Sequence, residues 1–166
     1  MRIRQAEEGG LDAWVALRCA LWPESSEDAL RREARSVLRS ADQVCFLLTQ
    51  PGGSPAGFVE AAIHSGPEGP YGHVEAWYVM PECRRKGHGR ALIGAVEQWC
   101  LHRTICRLTS DTTPDYPLSP AAHARAGFRK IHELTIFMKE LEPPAASGGE
   151  GAVAEPERSA QAKEWQ

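Results

Sequence analysis

The densest run of chemically useful side chains is Arg84-Arg85-Lys86-Gly87-His88-Gly89, followed by Arg90. It lies between a strand-like segment and an amphipathic stretch. Free backbone N–H groups at a helix start bind anions, and the helix dipole adds to the attraction. Glycines let backbone approach a phosphate closely. Arg and Lys add charge suited to phosphate oxygens. The segment therefore reads as a site for a diphosphate. It contains no G-x-x-x-x-G-K-[ST] and no G-x-G-x-x-G directly after a strand, so neither a Walker loop nor a dinucleotide fingerprint is present.

Two carboxylates bracket this segment. Glu75 opens the strand that leads into it, and Asp111 ends the strand that follows its helix. Substrate sites in α/β sheets form near such strand ends. A carboxylate there can hold an ammonium group and relay its proton, or it can be a surface or capping group.

These residues need elements to place them. Met1–Gln5 alternates and predicts a first strand. Leu11, Trp14, Val15, Leu17, Leu21 and Trp22 follow helical spacing, and Pro23 ends that helix. Ser25-x-x-Asp28 has the form of a capping box and opens a second helix to about Leu38. Val44–Thr49 and Gly57–His64 read as a hairpin across the turn Pro51-Gly52-Gly53. Ser65–Gly72 is predicted as a loop and Val74–Val79 as a strand. Gly87–His102 is predicted as a helix, with Leu92, Ile93, Val96, Trp99 and Cys100 on one face. Ile105–Thr109 alternates as a strand. Pro114 and Pro117 mark a loop. Ser119–Ala126 is a short helix, with Ser119 as a possible cap and Gly127 as its stop. Arg129–Leu141 reads as one or two strands, with Leu134, Ile136 and Met138 toward the core and Thr135, Phe137 and Lys139 away from it. From Pro143 the composition turns to Ala, Gly, Pro and Glu, which predicts a disordered tail over 143–166. The order predicts α/β architecture with a mixed sheet and one domain over 1–142.

Bulk properties narrow the functional class. The 166 residues suit one domain, and 42% apolar with 25% charged is ordinary for a globular protein. No apolar run approaches a membrane span, and MRIRQAEEGG lacks a signal-peptide h-region, so the expected location is cytoplasmic with no membrane association. Five cysteines, an odd number with no C-x-x-C pair, predict neither a disulfide framework nor a zinc site, and no metal is expected. A net charge of −3 argues against a nucleic-acid partner and is compatible with a cationic substrate.

Arg84-x-x-Gly87-x-Gly89, after YVMP and before an amphipathic helix, resembles motif A of the GNAT acetyltransferases. The resemblance implies the GNAT fold, a mixed and mostly antiparallel twisted sheet flanked by helices, and acetyl-CoA as cosubstrate. It implies that the amides of the Arg84, Arg85, Lys86, Gly87, His88, Gly89 and Arg90 segment hold the coenzyme A pyrophosphate. Trp77, Tyr78 and Val79 would splay from a neighbouring strand and pair their backbone with pantetheine. Tyr116 would lie near the pantetheine arm.

Three motifs together resemble the aminoglycoside 6'-N-acetyltransferases: Leu21-Trp22-Pro23; Glu75, Val79, Pro81, Arg84 and Gly87; and Ser110-Asp111-Thr112, Ser119, His123 and Gly127-Phe128. In that subgroup Trp22 would form an aromatic wall for substrate. Asp111 would bind the reacting amine ahead of Glu75, with either carboxylate or water as base. His123, where GNAT enzymes often carry tyrosine, would protonate the leaving thiolate. Direct attack in a ternary complex needs no covalent enzyme intermediate, so the cysteines have no nucleophilic role. A homodimer is also implied. Ala76 replaces the usual glycine, His132 stands where an acidic residue is expected, and the short 65–72 segment leaves Tyr71 unassigned. Acetylation of another amine, such as a polyamine or protein terminus, and non-catalytic acetyl-CoA binding remain the alternatives.

Overall fold

The computed structural model describes residues 1–133, 135, 138 and 139. Met1–Phe128 forms one compact unit, and Arg129 begins a second. The first unit contains strands β1 (Arg2–Gln5), β2 (Gln43–Thr49), β3 (Pro55–Gly66), β4 (Gly69–Val79) and β5 (Leu108–Ser110). Its helices are α1 (Leu11–Leu21), α2 (Glu27–Arg39), α3 (His88–Leu101) and α4 (Ser119–Ala126). The strands form one sheet in the order β1-β2-β3-β4-β5. The first three pairings are antiparallel, and β4 pairs with β5 in parallel. This is the expected α/β class with a mixed, mostly antiparallel sheet.

Two apolar layers enclose the sheet. On one face Leu92, Ile93, Val96, Trp99 and Cys100 of α3 meet Val44, Leu48, Val59, Ala61 and Val74. On the other, Leu11, Trp14, Val15 and Leu17 of α1 and Ala34 of α2 meet Cys45, Leu47, Phe58 and Ala76. Strand side chains alternate between these layers, as period two requires.

Local chemistry corrects several boundaries. The α2 cap is Ser26, not Ser25: its Oγ accepts from Ala29 N–H at 3.1 Å, three residues on. Ser65–Gly72 is not a loop. Ser65 pairs with Pro70 and Gly66 with Gly69, so only Pro67 and Glu68 turn the chain. Arg107 ties this turn down by pairing with Glu68 and donating to the Gly69 carbonyl.

β5 begins at Leu108 rather than Ile105 because Thr104 takes φ 60° and Ile105 N–H donates to the Cys100 carbonyl, closing the end of α3. Leu118 occupies the α4 cap position, and Ser119 lies one residue inside the helix. Gly127, at φ 97°, ends α4 as expected.

In the second unit, Arg129–Glu133 are not in a strand; Lys130 and Glu133 form an ion pair there instead. Met138, expected in the core, is 87% exposed. Leu134, Ile136, Phe137 and the 143–166 tail lie outside the described residues.

Candidate active site

The connection from β4 to α3 is shaped by its backbone. Pro81–Cys83 makes a single 3-10 turn and buries Cys83. Arg85 and Gly87 then take φ values of 60° and 80°. At Gly87 that left-handed value suits a residue without Cβ. Gly87 is the α3 cap residue and supplies no side-chain cap. The first helical bond runs from Ala91 N–H to the Gly87 carbonyl at 3.0 Å. The N–H groups of His88, Gly89 and Arg90 precede it and have no intrahelical acceptor. A Cβ on Gly89 would lie 2.9 Å from the Trp77 ring, so this amide cluster sits directly against β4.

The cations divide into two groups. Arg84 Nε donates to the Val79 carbonyl at 2.7 Å, with its guanidinium 5.7 Å from the Tyr78 ring centre. Lys86 Nζ donates to the Glu82 carbonyl at 3.1 Å. These two brace the loop. Arg85 and Arg90 are exposed and make no ion pair among the described residues.

Beside this helix start, β4 and β5 pair only at Gly72–Leu108, His73–Thr109 and Val74–Ser110. Among the described residues, no strand pairs with the outer edge of β4 beyond Val74, through Trp77, Tyr78 and Val79. The β3–β4 register also shifts there: Ala61 pairs with Val74, but Glu60 pairs with Ala76. Glu75 is therefore the extra residue of a β-bulge, which re-aims its side chain at the point where the strands part. An extended arm needing backbone partners fits this slot, and a diphosphate fits the amide cluster at its end.

Two side-chain groups flank the slot. On the α3 face, His123 Nδ1 lies 2.8 Å from the Ser119 carbonyl, which can only accept, so Nδ1 carries a proton. Its Nε2 lies 2.8 Å from Ser110 Oγ. Trp77 and Phe128 meet the imidazole edge to face, with centroids 5.4 and 5.3 Å away. The turn at Gly127 thus places Phe128 against the histidine. Tyr116 stands 40% exposed in the β5–α4 connection.

On the opposite face, two histidines that the sequence reading missed stand beside Glu75 and Asp111. His64 Nε2 lies 2.8 Å from Glu75 Oε1. His73 Nε2 lies 3.3 Å from Asp111 Oδ1, and its Nδ1 lies 2.8 Å from Thr109 Oγ1. The two imidazoles meet edge to face at 5.6 Å, and Tyr71 stacks on His64 at 5.7 Å. The signal was present as alternation: residues 71, 73 and 75 approach 62 and 64 once the strands run to their true turn. Reading 65–72 as a loop concealed it.

With this geometry described, comparison with known proteins becomes specific. Residues 11–128 match the Acetyltransferase (GNAT) family. The chain belongs to the GNAT acetyltransferases. It is 35% identical over 148 residues to an aminoglycoside N(6')-acetyltransferase type 1 of Stenotrophomonas maltophilia, covering 86% of this chain and 95% of the relative. Its fold is similar to that of AAC(6')-Iy in complex with the bisubstrate analogue CoA-S-monomethyl-acetylneamine, with TM-score 0.77, 27% identity, and coverage of 84% and 98% of the two chains. It is likewise similar to AAC(6')-Ih from Acinetobacter baumannii, with TM-score 0.77, 29% identity, and coverage of 85% and 99%. As a GNAT acetyltransferase the protein uses acetyl-CoA, and the slot with its terminal amides fits that molecule. Among the described residues, no cluster of three or more ligating side chains is arranged for a metal ion. Among them, too, no helix is long and apolar enough to cross a membrane.

In this GNAT enzyme, Trp22 follows the last turn of α1, 6.5 Å from the Phe58 ring and 5.0 Å from the Arg18 guanidinium. Arg18 is itself buried, ion-paired with Glu60 at 3.0 Å and with Glu33 at 3.1 Å, and donates to the Leu30 carbonyl at 2.6 Å. Trp14 Nε1 donates to Glu60 at 2.7 Å. Burial raises the Glu60 carboxyl above its ordinary value, while Arg18 and the Trp14 N–H oppose that rise. Nothing in the sequence reading singled out Arg18 or Glu60. A buried Arg on a helix and a buried Glu on a strand become a pair only when α1 packs on β3.

Proposed function

We propose that the protein transfers the acetyl group of acetyl-CoA to the 6'-amine of aminoglycosides and thereby confers resistance. The observation that carries this reading is the carboxylate pair Glu75 and Asp111 at the mouth of the β4–β5 slot, on the face opposite His123. The names of the relatives support the substrate class. Asp111 binds the ammonium, Glu75 adds a second carboxylate, and one of them takes the proton directly or through water. The freed amine attacks the thioester carbonyl, the carbon–sulfur bond breaks, and the acetyl group passes to nitrogen. His123 supplies the proton that the departing thiolate needs. Because Nδ1 keeps its proton on the Ser119 carbonyl, donation from Nε2, on the side of the Ser110 hydroxyl, takes the doubly protonated ring to the neutral one. Trp22, braced by Arg18 and Phe58, forms an apolar wall for the sugar rings.

The amides of His88, Gly89 and Arg90 hold the pyrophosphate, with Arg85 and Arg90 adding charge and Arg84 and Lys86 supporting the loop. Trp77, Tyr78 and Val79 offer backbone to pantetheine, and Tyr116 lies beside that arm. Residues 1–142 constitute the catalytic domain of a cytoplasmic homodimer, with 143–166 as a tail.

The test is thiol release from acetyl-CoA with kanamycin, tobramycin, spermidine or a peptide as acceptor. Release with the two aminoglycosides is expected. Release with spermidine alone overturns the substrate assignment, and tight coenzyme A binding without release overturns catalysis. Light scattering of the full chain and of a form ending at Glu142 tests the dimer and the tail.

A further inference from the structure

His123 has a partner with chemistry of its own. The Ser119 carbonyl, 2.8 Å from Nδ1, can only accept, so Nδ1 of the neutral ring holds the proton. The Ser119 hydroxyl, 3.1 Å from the same nitrogen, can turn a lone pair to that N–H as well. Nε2 of the neutral ring is therefore an acceptor. The group 2.8 Å from it is the Ser110 hydroxyl, which then donates. A serine donating to an imidazole whose other nitrogen is tied to an acceptor is the arrangement of an activated nucleophile. Here the orienting group is a backbone carbonyl rather than a carboxylate.

We propose that Ser110 and His123 form a nucleophilic dyad that hydrolyses the acetyl thioester when no amine is bound, through an acetyl ester on Ser110. The inference rests on the reading of the β4–β5 slot as the thioester site, and not on which amine is the acceptor.

The place of Ser110 in the fold suits this role. It is the last residue of β5 and pairs with Val74. Directly beyond that pair no strand covers the edge of β4 among the described residues, so Ser110 stands where the two strands part. Trp77 links this point to the α3 start. A Cβ on Gly89 would lie 2.9 Å from its ring, and the ring meets His123 edge to face at 5.4 Å. An arm held by those amides and by the β4 edge runs toward His123 and Ser110. Both residues are partly exposed, as a nucleophile and its base must be.

The reaction balances with water alone. Ser110 Oγ attacks the thioester carbonyl carbon as its proton passes to Nε2. The carbon–sulfur bond breaks, the thiolate takes the proton from Nε2, and the acetyl group stays on Oγ. Water then attacks the ester carbonyl and gives a proton to Nε2. That proton returns to Oγ as acetate leaves. Every second N–H along the uncovered β4 edge points outward, where it can hold the carbonyl oxygen as that oxygen gains charge. A bound amine competes for the same carbonyl carbon.

The experiment supplies acetyl-CoA without amine to wild type and Ser110→Ala and measures acetate and free thiol. Wild type should release the two in equal amounts, and Ser110→Ala should release acetate about 10-fold more slowly. Equal acetate rates in the two proteins overturn the dyad, and so does a wild type that releases none. A second measurement needs only wild type. Diisopropyl fluorophosphate, which modifies base-activated serines, should form its adduct at Ser110, and coenzyme A should block it. A wild type left unmodified at Ser110 overturns the proposal even where the alanine variant fails to fold. Kanamycin separates this failure from that of the proposed function. Acetylation of kanamycin with no acetate release in its absence overturns the hydrolysis alone. Acetate release through Ser110 with no amine acetylated overturns the transfer and keeps the dyad.

Discussion

The face of the sheet that carries α1 and α2 holds two clusters in which carboxylates meet nitrogen side chains, and they are built differently. Arg18, Glu60, Glu33 and Trp14 form one, enclosed between α1, α2 and β3. Glu75, His64, His73 and Asp111 form the other, at the open end near β5. In the first, the cation is a guanidinium, which stays charged at all accessible pH. It is buried, and its donors reach two carboxylates and a carbonyl. In the second, the partners are imidazoles, and the Glu75 and Asp111 side chains are partly exposed. A permanent, enclosed cation leaves its carboxylate nothing to offer a ligand. An imidazole partner at a solvent edge leaves its carboxylate partly exposed. The partner, more than the carboxylate, decides whether an acidic side chain on this sheet is enclosed or exposed.

The contrast can be broken first at its buried end. Glu60→Ala leaves the Arg18 charge enclosed with only Glu33, and should destabilise the fold by about 3–5 kcal/mol in urea unfolding. Replacing both partners, as Arg18→Met with Glu60→Leu, should recover most of that loss. A single variant as stable as wild type would mean the buried network is dispensable. At the open end, Asp111→Asn should leave the urea midpoint and coenzyme A affinity within about twofold of wild type while lowering kcat roughly 100-fold. Parallel losses in turnover and coenzyme A affinity would make Asp111 structural. Gly89→Ala touches neither cluster but forces a Cβ to 2.9 Å from Trp77. It should weaken coenzyme A about 10-fold, with the amine KM nearly unchanged, because the amide cluster must shift. An undisturbed coenzyme A affinity would remove the α3 start from the site.

The smallest effect concerns pH. Burial raises the Glu60 carboxyl, so the unfolded chain loses that proton at lower pH than the folded one. The contribution is complete below the ordinary carboxylate range and is lost as pH rises through the raised value. The stability of wild type relative to Glu60→Gln should therefore shrink as pH rises from the ordinary carboxylate range toward neutrality. A widening difference would show that Arg18 outweighs burial.

Much of this arrangement was legible before folding. The spacing of Arg84, Gly87 and Gly89 after an apolar strand specifies a helix start with free amides, because local backbone preferences act within a few residues. The same holds for α1 and α3, whose apolar spacing is a local property, and for the Gly127 stop of α4. The bulge at Glu75 was not legible, since an unpaired residue is defined only by the register of β3. The 65–72 segment misled for a related reason: Gly and Pro mark a turn, but cross-strand pairing decides how short it is.

The amino-acid sequence alone determined most of the elements and the glycine-containing loop before α3, and it singled out Glu75, Asp111 and His123 as candidates. Tertiary structure decided their partners. The Ser119 carbonyl engages Nδ1 of His123, Arg18 pairs with buried Glu60, and His64 and His73 come to stand beside Glu75 and Asp111. Such pairings depend on strand register and helix packing between residues distant in the chain, and periodicity within one segment carries no record of them.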